Sequence, residues 1–130
     1  MKQLNIAVGI IRNAQNEIFI TRRNADVHMG GKLEFPGGKV EQGESAEQAL
    51  VRELREEVGI TAKSFSLYQQ IEHQFSDRLV AISFFLVSAW DGEPWGKEGQ
   101  SGQWLACSQL DAAQFPPANE PVIARLLQQN

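Results

Sequence analysis

A chain of 130 residues with 12 basic and 16 acidic side chains, a formal charge of −4 and 42% hydrophobic residues has the length of one domain and an ordinary globular composition. Its single cysteine, Cys107, has no partner for an internal disulfide, which points to a reducing, cytoplasmic setting rather than a secreted scaffold. No segment approaches the roughly 20 apolar residues that span a bilayer, and the acidic balance without a dense Lys/Arg run disfavours nucleic-acid polymers, leaving open an anion that binds through metal ions.

Leu4, Ile6, Val8 and Ile10 alternate with Asn5, Ala7 and Gly9, which predicts a strand over residues 3–11 with one buried face. A polar turn at 13–17 leads to a second strand at 18–21, expected to pair with the first as a hairpin. Residues 24–32 read as a loop around Gly30 and Gly31. A short strand at 33–35 meets Pro36, Gly37 and Gly38, through which no helix continues. Ser45 with Gln48 three residues on makes a capping-box pattern and Gly59 a stop, so this is the clearest helix. Strands are predicted at 64–75 and 79–89, joined around Ser76 and Asp77. A polar, Gly-rich loop fills 91–103, followed by a short strand at 104–107 and a helical turn near Leu110. Pro116 and Pro117 break the chain before a final helix at about 121–127. No repeat or linker divides the sequence, so residues 1–130 are expected to form one α/β (α+β) domain, a mixed sheet with helices packed on it.

The helix at 45–59 carries Glu53, Glu56 and Glu57 within an arc of roughly 100°. Ala46, Ala49, Leu50 and Leu54 project over an overlapping direction, so the acids reach into the core-facing stripe. Like charges at these spacings repel, burial makes them costlier, and the end of a helix disfavours negative charge. A solvated acidic face compensated by Arg52 and Arg55 is the bland alternative. A seat for hard cations explains the placement better, since clustered carboxylates suit Mg²⁺ or Mn²⁺.

Reading outward gives GKVEQGESAEQALVRELREEVGI over residues 38–60. This resembles the Nudix box, with Gly38, Glu44, Arg52, Glu53, Leu54, Glu56, Glu57, Gly59 and Ile60 at every specified position. The KLEFPGGK, EPWGKEGQ and FPPANEPVIA runs resemble family members that act on 8-oxo-dGTP. The resemblance implies the Nudix fold, a mixed sheet sandwiched between helices, with the box as loop–helix–loop. It implies a metal-dependent nucleoside triphosphate pyrophosphohydrolase that converts 8-oxo-dGTP to the monophosphate and pyrophosphate before replication can incorporate it. Nudix hydrolysis of ADP-ribose, dinucleoside polyphosphates or ordinary nucleotides, a non-catalytic nucleotide-binding module, and an interaction domain without nucleotide are the alternatives.

The same resemblance suggests roles. Glu53, Glu56 and Glu57, with a carbonyl of Gly37 or Gly38 and the loop acid Glu98, are the expected ligands of Mg²⁺, with Mn²⁺ a possible substitute. Glu53 or Glu98 is the candidate base or water-orienting residue. Arg52 is expected to pair with Glu44 and, with Gly59, to support the box structurally. On the residues alone Asn119 reads first as an ordinary helix N-cap and second as a bidentate partner of a purine edge, and the resemblance reverses that order. Phe35 and Phe75 are candidates to sandwich that base. Arg23, His28, Glu34, Gly37, Lys39 and Arg78 are further candidate substrate contacts. The partner is then a free nucleotide, and nothing in the sequence requires more than a monomer.

Overall fold

In the computed structural model, which describes residues 2–26 and 30–129, the expected alternation places strand β1 (Lys2–Ile11) at the centre of the molecule. Val8 and Ile10, with Ile6 beside them, join the apolar cluster that helix α2 (Glu120–Gln128) covers with Val122, Ile123 and Leu126. Ala7 and Ile11 face the other way, under Ala49, Leu50, Leu54 and Val58 of helix α1 (Ala46–Val58). Gly9 lies on that second face, where a Cβ would come within 3.1 Å of the Leu54 side chain, so glycine lets helix and sheet close together.

Strand β1 runs parallel to β6 (Arg78–Asp91) from the Lys2–Arg78 pair to Ile11–Val87, and antiparallel to β4 (Gly37–Lys39). With β5 (Thr61–Gln74) against β6, the mixed sheet has the order β4-β1-β6-β5. A second sheet holds β3 (Leu33–Glu34), β2 (Glu17–Arg22) and β7 (Gly102–Ala106) in the order β3-β2-β7. Helices thus lie on both faces of a mixed sheet, as expected.

Two local expectations change. Residues 3–11 and 18–21 do not form a ladder, because both edges of β1 are taken by β4 and β6. Only an isolated Arg12–Ile18 bridge remains, and β2 crosses into the second sheet. The Pro36-Gly37-Gly38 run is more than a helix barrier, since both glycines belong to a strand. Gly38 pairs with Ala7 and Gly37 with Val8, and a Cβ on Gly37 would lie 2.7 Å from the Val8 Cα.

Helix α1 begins and ends where its caps predict. The Ser45 hydroxyl accepts the Gln48 N–H, the Gln48 side chain accepts the Ser45 N–H, and Gly59 turns left-handed at φ 74°. Residues 95–97 dock on its C-terminus: the Trp95 N–H donates to Val58 O and the Lys97 N–H to Glu57 O, both at 3.1 Å. Among the described residues no helix is long and apolar enough to cross a membrane.

Candidate active site

The glycine strand β4 and helix α1 meet where the box carboxylates emerge. Glu57 is turned into the core edge, only 7% exposed, and its Oε2 accepts the Gly37 N–H at 3.0 Å. Desolvation raises its pKa from 4.5 to about 8; the Gly37 bond opposes this, while the charges of Glu34, Glu98 and Glu53 add to it. Glu53 lies one turn earlier and is half-shielded. Its pKa is also raised, chiefly by burial, against the pull of Arg52. Its carboxylate rests directly on Gly38, where any side chain would overlap it. Glu56 points outward.

Arg52 organises this face. Its Nε and Nη2 grip the Glu44 carboxylate at 2.7 and 3.0 Å, Nη2 also donates to Lys39 O at 3.0 Å, and Nη1 reaches Glu53 Oε2 at 2.9 Å. This two-pronged geometry is available to a guanidinium and not to an ammonium. It holds the Glu44 carboxyl at about 2, with help from the Glu41 N–H, and raises the Arg52 pKa further. The Arg52–Glu44 pairing expected from the sequence is therefore present, and it links the loop before α1 to the helix.

Beside Glu57 opens a polar cleft of about 200 Å³ lined by Arg23, Asn24, Glu34, Glu98 and Gln100 among others. Arg23 bonds Glu34 across its mouth at 2.8 Å. The loop after β6 thus brings Glu98 to the same cleft as Glu57, a juxtaposition that sequence distance hides. Gln100 ends the EPWGKEGQ run, and the resemblance assigns it no role; its place in that Gly-rich loop is the signal that points to it. A larger groove of about 470 Å³ runs along the outer face of α1 by Val51, Arg55 and Phe65, away from Glu57 and Gly38.

The candidate base contacts are placed differently. Phe35 is buried, stacked on Phe115 at 5.3 Å and edge-on to Phe84, and so acts as a wall of the core. Phe75 is 44% exposed at the β5–β6 turn, with His73 at 4.5 Å and the Arg78 guanidinium 5.7 Å from its ring. The two rings do not face each other as a formed sandwich; the ring contacts of each are with other partners. Asn119 precedes α2 yet does not cap it: its Nδ2 donates back to Pro116 O at 3.1 Å, and its own backbone is helical. Lys39 has an exposed side chain and lends its carbonyl to Arg52. His28 lies outside the described residues.

The donor set fits a hard divalent cation in its chemistry. It consists of carboxylate oxygens and strand carbonyls, with one carboxylate buried beside other acids and a glycine cradle under another. Among the described residues the acids do not converge on a common point, because Glu53 is drawn to Arg52 and Glu56 faces outward.

A sheet covered by helices on both faces, with an acid-bearing helix packed on a glycine strand, defines the class of fold, and comparison with known proteins agrees. The NUDIX domain pattern matches residues 7–125. The chain is 65% identical over 126 residues to 8-oxo-dGTP diphosphatase of Escherichia coli K12, covering 97% of this chain and 98% of that one. It is 48% identical over 126 residues to 8-oxo-dGTP diphosphatase of Haemophilus influenzae, covering 97% and 93%. A solved structure from work on MutT of Aliivibrio salmonicida and Vibrio cholerae superposes with a TM-score of 0.87 at 47% identity, covering 99% of this chain and 100% of that one. The chain belongs to the Nudix family.

Proposed function

We propose that this protein is a divalent-metal-dependent 8-oxo-dGTP diphosphatase. Water cleaves the bond between the α- and β-phosphates, and 8-oxo-dGMP and pyrophosphate are released, which keeps the oxidised base out of replicated DNA. The observation that carries this reading is the end-to-end likeness to the Escherichia coli 8-oxo-dGTP diphosphatase, at an identity of 65%. The reading includes a monomeric, single-domain protein that meets free nucleotides in the cytoplasm.

In this reading Glu53, Glu56, Glu57, Glu98 and a carbonyl of Gly37 or Gly38 hold Mg²⁺, or Mn²⁺ in its place. When bound, the cation neutralises polyphosphate charge and makes a coordinated water more acidic. The protein's own groups do the remaining work. Arg52 fixes the Glu53 rotamer, and the Gly37 N–H fixes Glu57. Glu53, whose pKa is raised chiefly by burial, accepts the proton of the attacking water, with Glu98 the alternative acceptor. Arg23, steadied by Glu34, contributes positive charge to the phosphates, as do Arg78 and Lys39. Phe75 offers its exposed face to the base. The Asn119 carboxamide, not committed to capping α2, hydrogen-bonds the purine edge.

The test is a substrate panel in Mg²⁺: 8-oxo-dGTP, dGTP, the other nucleoside triphosphates, ADP-ribose and dinucleoside polyphosphates, with products identified. Pyrophosphate release, a marked kcat/KM preference for 8-oxo-dGTP and loss of turnover in EDTA are expected. Release of inorganic phosphate, or equal kcat/KM for dGTP and 8-oxo-dGTP, rejects the assignment.

A further inference from the structure

The cleft beside Glu57 contains a group that the mechanism above leaves idle. Gln100 Nε2 lies 3.5 Å from Glu57 Oε1, at the outer limit of a hydrogen bond, while Glu57 Oε2 takes the Gly37 N–H at 3.0 Å. Glu57 is thereby approached at both oxygens, by strand β4 on one side and by the loop after β6 on the other. The Gln100 Oε1 is shut off from solvent and has no hydrogen-bond partner among the described residues. An orphaned buried oxygen is uncommon, and it marks strain, a catalytic role or a place for water or an ion.

The chain that delivers this amide is a built turn. The Trp95 and Lys97 N–H groups are anchored on the last carbonyls of α1, and the Gly99 N–H donates to Gly96 O at 3.1 Å. Gly96 approaches the Gln100 carbonyl so closely that a side chain there would collide with it. The cationic groups of the cleft are engaged elsewhere: Arg22 donates to Gly31 O at 2.7 Å, and Arg23 pairs with Glu34. The acids nearby, Glu34, Glu57 and Glu98, offer acceptors when ionised and so cannot satisfy another acceptor. What this oxygen lacks is a donor, and water brought by a hydrated cation into the acidic cleft that Gln100 lines is one.

We infer that Gln100 is a positioning residue of the metal site, its Nε2 steadying Glu57 and its Oε1 accepting a hydrogen bond from water that enters the cleft with the divalent cation. This rests on the metal-dependent reading above and extends it to a residue outside the Nudix box.

The experiment compares the full-length wild type with Gln100→Leu and Gln100→Glu. Mn²⁺ affinity is measured by electron paramagnetic resonance without nucleotide, melting temperature in EDTA, and kcat and KM in Mg²⁺. Gln100→Leu removes the orphan, so its melting temperature in EDTA stays level or rises. Its Mn²⁺ affinity falls about tenfold and its kcat by a similar factor, with KM within about twofold. Gln100→Glu keeps an acceptor and loses the Nε2 donor to Glu57, so its Mn²⁺ affinity falls by about threefold, less than that of Gln100→Leu. Unchanged Mn²⁺ affinity in Gln100→Leu overturns the inference, as does a Gln100→Glu protein that binds as weakly as Gln100→Leu. A melting temperature in EDTA that falls in step with activity also overturns it, since that is the mark of a merely structural role. A wild type that binds no Mn²⁺ overturns the metal reading itself, and this inference with it.

Discussion

Replacing Glu57 with glutamine should stabilise the metal-free protein above neutral pH while lowering its kcat steeply. The side chain is 7% exposed, and its pKa is raised from 4.5 to about 8, mainly by desolvation. An acid whose folded pKa exceeds its unfolded value favours folding when protonated. Its stabilising contribution is therefore complete below pH 4.5 and is lost as pH rises through about 8. At about 1.36 kcal/mol per pKa unit, the gap between 4.5 and about 8 sets a ceiling of about 5 kcal/mol. Relaxation beside an open cleft brings the expected loss to about 2–3 kcal/mol. Glutamine keeps an acceptor for the Gly37 N–H and removes the charge. Urea unfolding of both proteins in EDTA, from about pH 5 to about pH 9, isolates the effect of Glu57 and its coupling to Glu34, Glu53 and Glu98, because the titrating groups not coupled to it cancel in the difference. The two stabilities should nearly coincide at the acid end, and the variant should be ahead by about 2–3 kcal/mol at the alkaline end. Mg²⁺ should restore the wild type and leave the variant unmoved. Parallel pH dependence in the two proteins would show that Glu57 is not held desolvated, and would refute the reasoning.

The adjacent glycines should separate stability from activity. Gly37→Ala forces a Cβ to 2.7 Å from the Val8 Cα and should cost on the order of 2–4 kcal/mol in urea unfolding. Gly38→Ala displaces only the flexible end of Glu53, so it should cost less than about 1 kcal/mol yet lower kcat about 10- to 100-fold. Equal stability losses in the two would remove the distinction. Asn119→Ala should leave stability within about 0.5 kcal/mol, since no cap is lost, while the preference for 8-oxo-dGTP over dGTP falls about tenfold. An unaltered preference would leave Asn119 without a role in base reading. Arg52→Lys should let the Glu44 pKa climb from about 2 back towards 4.5, read by NMR titration. A depressed folded pKa contributes stability above pH 4.5 that is lost as pH falls through about 2, so this variant should be less stable near neutrality and lose less on acidification. A Glu44 titration that does not move would reject Arg52 as its cause.

The elements legible in the sequence were those encoded by local rules. Ser45, Gln48 and Gly59 specify the ends of α1 through bonds made within a few residues, and β1 forms where its alternation predicts, but with both faces buried instead of one because a helix packs on each side. The hairpin expected at its end fails because pairing is decided by competition for strand edges. β4 and β6 occupy both edges of β1, and β6 joins it from residues more than seventy positions away. The same limit applies at the site. Glu53 and Glu57 could be read from helical spacing, and Arg52–Glu44 from the box. Glu98 was legible only through the likeness of the EPWGKEGQ run and Gln100 was given no role, because the approach of both depends on the Trp95 and Lys97 backbone meeting the carbonyls of α1. Asn119 shows a further limit, since its N-cap position is real and its side chain nevertheless turns to Pro116.

Taken singly, each anomaly near α1 is a modest defect: a buried acid in the last turns, repelling acids one turn apart, and glycines inside a strand. They fall within one neighbourhood and depend on one another. Gly38 is small so that Glu53 can lie over it, and the Gly37 N–H is the bond that keeps Glu57 turned inward. Arg52 balances Glu44 and Glu53 but does not reach Glu57, which has no ion-pair partner among the described residues. A protein optimised only for folding would remove that last charge, and substituting it is predicted to be stabilising. Retaining an uncompensated carboxylate, with an orphaned amide oxygen beside it, makes sense when the compensation arrives from outside. The acidic excess of the chain, 16 against 12, then serves an anionic substrate through cations instead of repelling it.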